Sequence, residues 1–216
     1  LLWQSNDQTI DLPKKLKYLL LGLGALAVFV VPLGTSDMPY YFSAGKAMSQ
    51  NLNPYFDKWT LQVDFSDRGA FAPTAGFPYG PIMALASGLF YKFSYDNVLV
   101  FMFAWKLFML LTLVACGFLT MKLADMLSNG KSTTTWYLLW FAQPILLFEW
   151  LVNGHFDGLW LLSVLLAIYA AHTKRWWLLA PALVVGVWIK FIPILLAPFF
   201  ALWWWQDINM QTWKKN

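Results

Sequence analysis

Three polar stretches interrupt an otherwise apolar chain, and each holds residue types that can do chemistry. Asp37 stands in Gly34-Thr-Ser-Asp-Met-Pro-Tyr-Tyr41. A carboxylate held beside aromatic rings at a membrane surface can have a raised pKa and take a proton as a base. A solvated helix cap is the other use of an Asp at such a place. His155 and Asp157 stand two residues apart in Asn153-Gly-His-Phe-Asp157, which can set an imidazole beside a carboxylate. Lys190 has long apolar runs on both sides, and a buried ammonium needs an anion, either a carboxylate or a phosphate. Glu149 and Lys106 lie inside apolar runs, where snorkelling to the interface accounts for a charged side chain. Two His and a single Cys give no His/Cys ligand cluster of metal-site spacing.

The elements that must position these residues follow from composition. The 216 residues are 59% hydrophobic, 19% aromatic and 12% charged, about half the charge of an ordinary soluble domain. So few charges cannot cover a water-soluble surface, and lipid is the expected solvent for most of the chain. The net charge of +4 is scattered between apolar runs rather than gathered in a stripe, which argues against nucleic acid as a partner. Cys116 lies within an apolar run and has no second cysteine to pair with. The fold class expected is an all-α polytopic membrane bundle. Its spans are predicted at 18–33, 98–121, 135–152 with a kink at Pro144, 158–171, 176–189 and 191–205. The last two come from one apolar stretch too long for a single span, divided at Lys190. Residues 80–93 are too few to cross a hydrocarbon core of about 30 Å, and they are expected to lie along the membrane surface. The segment 34–78 is too long and polar to be a simple connection. Asn53-Pro-Tyr55 and Tyr79-Gly-Pro81 within it read as turns or helix boundaries. Trp203-Trp-Trp205 reads as an interfacial belt.

The positive-inside rule orients this layout. With 80–93 on the surface, Lys14, Lys15, Lys17, Lys122, Lys131, Lys174, Arg175, Lys214 and Lys215 share one side, most of the fifteen Lys and Arg. That side is the cytoplasm. The domain division expected is a cytoplasmic segment at 1–17, a transmembrane domain at 18–205 with its first outer loop at about 34–97, and a cytoplasmic tail or truncation point at 206–216. The chain does not begin with Met and stops shortly after an apolar run, as expected of a fragment. The long loop, the 153–157 segment and Lys190 then meet on the extracytoplasmic face.

Taken in order, Ser36-Asp37-Met-Pro-Tyr40-Tyr41, Asn53-Pro-Tyr55 and Phe77-Pro-Tyr79-Gly-Pro81 resemble the first outer loop of GT-C glycosyltransferases. Asn153-Gly-His-Phe-Asp157 and Trp188-Ile-Lys190-Phe-Ile-Pro193 add a second matching block. Together they resemble the polyprenol-phosphate-sugar-dependent mannosyltransferases, either of glycosyltransferase family 87 or related to the GPI mannosyltransferase I catalytic subunit. The similarity runs from about 18 to 205. It implies a GT-C-like helix bundle and an enzyme of the plasma membrane or an endomembrane, working on the extracytoplasmic face. That enzyme would move a hexose, mannose by family habit, from a polyprenyl-phosphate-linked donor to a glycan or glycolipid acceptor. Asp37 falls where the family carries its catalytic acid. The GPI enzyme type has a second acid two residues on, where this chain has Pro39; that departure puts a metal-binding acidic pair in doubt and leaves Asp37 a lone base, with no metal ligand set assigned, no cofactor certain, and a divalent metal left open but unsupported by a paired acidic motif. Tyr40, Tyr41, Asn53, Tyr55, Tyr79, Asn153, His155 and Asp157 are the substrate-binding candidates. Lys190, Lys106 and Arg68 are the candidates for the donor phosphate. A polytopic transporter or lipid-carrier flippase would also use broken helices and a membrane-depth Lys, but no inverted repeat is present. A non-catalytic membrane subunit would require Asp37, Asp157 and Lys190 all to be merely structural.

Overall fold

The computed structural model describes residues 13–32, 37–57, 76–128 and 139–213, with side chains to 208. Arg68 and Ser36 lie outside the described residues. The described chain is helical, with no strand among these residues. In order it forms α1 (Lys14–Ala27), α2 (Asp37–Ser49), α3 (Pro81–Ser94), α4 (Val98–Leu127), α5 (Pro144–Val152), α6 (Asp157–His172), α7 (Trp176–Ile189) and α8 (Ala197–Trp213). A 3₁₀ turn over Ile192–Leu196 leads into α8.

Local chemistry sets most of these limits. Lys14, Lys15 and Lys17 are good helix formers, so α1 starts at Lys14 rather than at 18. Pro32 disfavours helix at Val31, and α1 stops at Ala27 instead of running to 33. Pro81 opens α3 at its first turn, where a missing N–H costs nothing. Asn97 caps α4, its Oδ1 accepting from the N–H groups of Leu99 at 3.0 Å and Val100 at 3.2 Å. Helix resumes at Pro144 after a break at Gln143, as expected of that proline. Lys190 is extended and ends α7, so the apolar stretch does divide there.

Where six spans are expected, the described helices differ in length and in apolar character. Among the described residues only α4 is by itself long and apolar enough to cross a membrane, reaching about 45 Å at 1.5 Å per residue. The α5 and α6 pair is apolar enough to cross together, but bends by 118° between Val152 and Asp157. Both α7 and Ile192–Ile208 are apolar but shorter.

The core gathers on α4. Phe101, Met102, Trp105, Met109, Leu113 and Cys116 line its buried side, at the spacing of one helical face. Its other side exposes Leu99, Phe103, Leu107, Leu111 and Phe118. α2 packs closely on α3, since a Cβ on Gly45 would stand 2.4 Å from the Ser87 carbonyl oxygen. α6 and α7 form a hairpin in which a Cβ on Gly186 would meet the Ser163 hydroxyl at 2.2 Å. Around Trp105, the rings of Tyr41, Phe90, Phe101 and Phe108 make an aromatic knot with centroids 4.8 to 6.5 Å apart. At the far end of the hairpin, Lys174 pairs with the buried Asp207 of α8 at 2.6 Å.

The segment before α3 is strapped down at two points. Phe77 N–H donates to the Pro54 carbonyl at 2.8 Å, and Gly80 N–H donates to the Ile189 carbonyl at 3.0 Å. A Cβ on Gly80 would fall 1.9 Å from the Trp188 carbonyl oxygen, which is backbone and cannot swing aside. Gly80→Ala is therefore expected to lift this strap from α7 and cost about 1–3 kcal/mol, as overpacking does. A lowered thermal midpoint of the detergent-solubilised protein checks this; an unchanged midpoint would show that the strap does not hold α3 to α7.

Candidate active site

The polar residues converge where α5 bends into α6. Residues 147–152 form a π turn rather than an α turn, a feature often found at functional sites. The wider turn lets Asn153 N–H donate to the Phe148 carbonyl at 2.8 Å and His155 N–H donate to the Glu149 carbonyl at 2.9 Å. The chain between them passes through Gly154 at φ +76°, a left-handed conformation that glycine adopts without strain. Trp105 of α4 pins this bend by donating its indole N–H to the Gly154 carbonyl at 2.9 Å.

The bend delivers His155 to the first residue of α2. His155 Nδ1 lies 2.6 Å from Asp37 Oδ2, and His155 Nε2 lies 3.1 Å from Glu149 Oε2. With a carboxylate at each ring nitrogen, both must donate, so the imidazolium is the favoured form. Its pKa is raised by the Asp37 hydrogen bond, against an opposing effect of burial, with help from the charges of Asp37, Glu149 and Asp157. Burial pushes the Asp37 carboxyl up, but the hydrogen bond and charge of His155, with the Tyr79 and Tyr41 phenols, outweigh it and hold it below the ordinary 3.8. The Tyr41 hydroxyl donates to Asp37 Oδ2 at 3.2 Å. Burial first, then the Asp37 charge, raises both Tyr41 and Tyr79, so both remain phenols and hydrogen-bond donors. Tyr40 is raised in the same way, by burial and then by Asp37.

A second pair sits alongside. Asp157, the first residue of α6, accepts from Lys190 Nζ at 2.6 Å and from the Trp160 indole at 2.7 Å. The Lys190 ammonium also lies 5.5 Å from the centre of the Phe156 ring. Phe156 packs edge-on against Tyr79 at 4.6 Å and Tyr41 at 5.7 Å, joining the two pairs into one site.

Among the residues expected from sequence, the structure brings Asp37, Tyr40, Tyr41, Tyr79, Asn153, His155, Asp157 and Lys190 together. Asn153 enters by donating its amide to Glu149 Oε2 at 3.2 Å. Tyr55 reaches the site indirectly, its hydroxyl donating to the Tyr79 carbonyl at 3.0 Å. Asn53 shapes the turn before it, accepting from Tyr55 N–H at 2.9 Å. Lys106 is buried, and its ammonium donates to the Val30 carbonyl in the turn just past α1. The spacing pairs His155 with Asp157, but in the structure the imidazole grips Asp37 and Glu149 while Asp157 takes Lys190.

Glu149 is the residue that sequence reasoning passed over as a snorkelling side chain. Its signal was available: an acid within an apolar run requires a partner at that depth, and His155 is the nearest candidate along the chain. Among the described residues, no group of three or more His, Cys, Asp or Glu is disposed to hold a metal ion.

An ion-paired carboxylate beside a Lys, bounded by aromatic rings, suits proton removal from a hydroxyl next to an anionic leaving group. Residues 22–206 match the MptA_B family, described as alpha-(1->6)-mannopyranosyltransferase, N-terminal domain. The chain belongs to this family. No curated protein and no solved structure matches it. Membership makes the chain glycosyltransferase material, with a sugar donor and an acceptor as its substrates, and it bears out the mannosyltransferase-like resemblance of the sequence at that level.

In this MptA_B chain the Asp37–His155 pair has a defined pH range. A lowered Asp37 stabilises the fold fully above 3.8 and loses that contribution as pH falls through its folded value. A raised His155 stabilises fully below 6.5 and loses its contribution as pH rises through its folded value. The loss of thermal midpoint on His155→Gln is thus expected to be greatest between pH 3.8 and 6.5 and to shrink on both sides. A pH-independent loss would remove the ion pair as its source.

Proposed function

We propose that this chain forms part of an integral membrane mannosyltransferase of GT-C-like architecture, with Asp37 as the general base. Mannose would pass from a polyprenyl-phosphate-linked donor to a glycan or glycolipid acceptor on the extracytoplasmic face. The observation that carries the reading is Asp37 itself. It heads α2, stays partly accessible at 21% side-chain exposure, and lies in one cluster with His155 and the Asp157–Lys190 pair.

The chemistry follows from those groups. As the acceptor hydroxyl oxygen bonds to the anomeric carbon, its proton becomes acidic and passes to an Asp37 oxygen. The lowered pKa of Asp37 is the reverse of the raised value expected from its sequence surroundings and makes it a weak base; it is ionised at neutral pH and takes the proton late in the step, once the hydroxyl oxygen is largely bonded to the anomeric carbon. The bond from the anomeric carbon to the donor phosphate breaks, and the electron pair leaves with the phosphate. Lys190 is the group that would neutralise it, exchanging Asp157 for a phosphate oxygen, at a membrane boundary where lowered dielectric strengthens the attraction. Tyr40, Tyr41 and Tyr79 offer ring faces and hydroxyls to the sugars. The layout rests on α4 as one span, the bent α5–α6 pair, and the shorter apolar α7 and α8, with α3 along the surface. α3 fits that place: Leu85, Leu89 and Phe93 are exposed on one side while Met83, Ala84, Ser87 and Tyr91 are buried on the other. The asymmetry of Lys and Arg supports the extracytoplasmic side for the site.

The decisive test is transfer from radiolabelled polyprenyl-phosphate-mannose in proteoliposomes, using the full-length protein and its Asp37→Asn variant. Transfer is expected to fall by roughly 10²-fold or more, the scale of a lost general base, with donor binding retained. Near-normal turnover by Asp37→Asn would remove the base, and absence of both transfer and donor binding in the unaltered protein would remove the donor assignment.

A further inference from the structure

Glu149 has no part in the proton transfer just described, yet it is built into the site with several independent contacts. Its carboxylate meets His155 Nε2 at 3.1 Å and the Asn153 amide at 3.2 Å, and its own carbonyl accepts the His155 backbone N–H at 2.9 Å. The π turn makes this possible. An α-helical continuation would carry residues 153–155 past Glu149, whereas the wider turn folds them back over it.

We propose that Glu149 is a positioning residue for the transfer reaction: by gripping Nε2 of His155 it turns Nδ1–H onto Asp37 and holds the imidazole as a donor at both nitrogens. This rests on the reading of Asp37 as the base. A His155 without Glu149 loses the carboxylate that grips Nε2. It can lose its Nε2 proton at lower pH, and its ring can turn on its axis away from Asp37. In the first state Asp37 keeps the Nδ1–H donor but loses the positive charge beside it; in the second it loses the donor that aims its carboxylate, and proximity effects are steep enough for small misplacements to cost much of the rate.

The groups facing His155 act in a definite balance. Glu149 comes from α5, Asp37 from α2 and Asp157 from α6, all favouring the charged ring. Tyr41 and Tyr79 reach it through Asp37. Lys190 opposes them, but its ammonium is taken by Asp157. The Lys106 stem passes near Gly154, while its head is turned to Val30. Of the three acids only Asp37 and Glu149 touch the ring, so removing the Glu149 charge withdraws one of its two direct carboxylate partners.

The test compares Glu149→Gln, His155→Gln and the double variant with the unaltered full-length protein. Three readouts are followed: the pH profile of transfer from polyprenyl-phosphate-mannose, kcat against KM, and the nitrogen NMR titration of His155. Glu149→Gln is expected to move the alkaline limb of the profile and the His155 titration down together by about one pH unit, roughly the effect of a tenfold change in one protonation equilibrium. Near neutral pH kcat should fall about tenfold with KM little changed. The double variant should be no worse than His155→Gln, because Glu149 acts only through the imidazole. An unmoved pH profile and titration, or fully additive losses in the double variant, would overturn the proposal. Asp37→Asn, assayed alongside, separates the two failures. If that variant is inactive while Glu149→Gln leaves the profile unmoved, only the role of Glu149 falls; if Asp37→Asn is active, the base itself falls.

Discussion

The contact on which the site depends is the 2.6 Å approach of His155 to Asp37. It joins the start of α2 to the bend between α5 and α6, two places far apart in the chain. Either group alone would be costly in partly buried surroundings, since burial opposes the charge on each. Together, with Tyr41 and Tyr79 donating to the carboxylate, each stabilises the charged form of the other. The surrounding architecture serves to make that approach possible. Trp105 fixes the Gly154 carbonyl, the π turn brings the chain back on itself, and the Gly80 strap holds the segment bearing Tyr79 against α7.

The bend itself reflects a conflict between lipid-like packing and polar chemistry. α5 and α6 are apolar enough to cross a membrane together, but a straight helix would put His155 on the face away from Asn153 and Asp157. Breaking the helix satisfies them differently. The last carbonyls of α5 take N–H groups from the turn, and Asp157 begins α6 where the helix dipole favours a carboxylate. Sharp breaks of this kind are tolerated at membrane depth where protein rather than lipid surrounds them. Val152, Asn153 and Phe156 are all buried.

What was legible in the sequence was whatever depends on local chemistry. Pro144 marked a break because proline cannot continue a hydrogen-bond ladder. Lys190 marked another because a lone ammonium in a long apolar run must reach an anion. Asp37 stood out by its place among aromatic residues. Pairings between remote segments were not legible. Two-residue spacing set His155 beside Asp157, yet the left-handed Gly154 and the π turn direct the ring elsewhere. Lys106 carried the same ambiguity. Its depth announced a partner, but nothing in its neighbours pointed to a carbonyl at the end of α1. Span geometry is hard to read for a related reason, since hydropathy reports which residues avoid water without reporting where α5 turns.

The charge balance of the site constrains how the anionic donor of the proposed reaction would enter. Asp37 and Glu149 share the His155 imidazolium, and Asp157 takes the Lys190 ammonium. The named groups therefore carry one more negative charge than positive. A phosphate arriving beside Lys190 raises that excess further, and the cost of like charges at lowered dielectric is high. Exchange is the economical solution. Asp157 can release Lys190 to the phosphate and still retain its bond from the Trp160 indole, so its carboxylate is not left bare. The proposed proton transfer from the acceptor to Asp37 would then remove a negative charge from the carboxylate cluster in the same step that the phosphate gained its own. In the proposed reaction the Asp157–Lys190 pair would keep the phosphate position filled until the donor replaced it, and the Asp37 cluster would absorb the proton that makes the replacement productive.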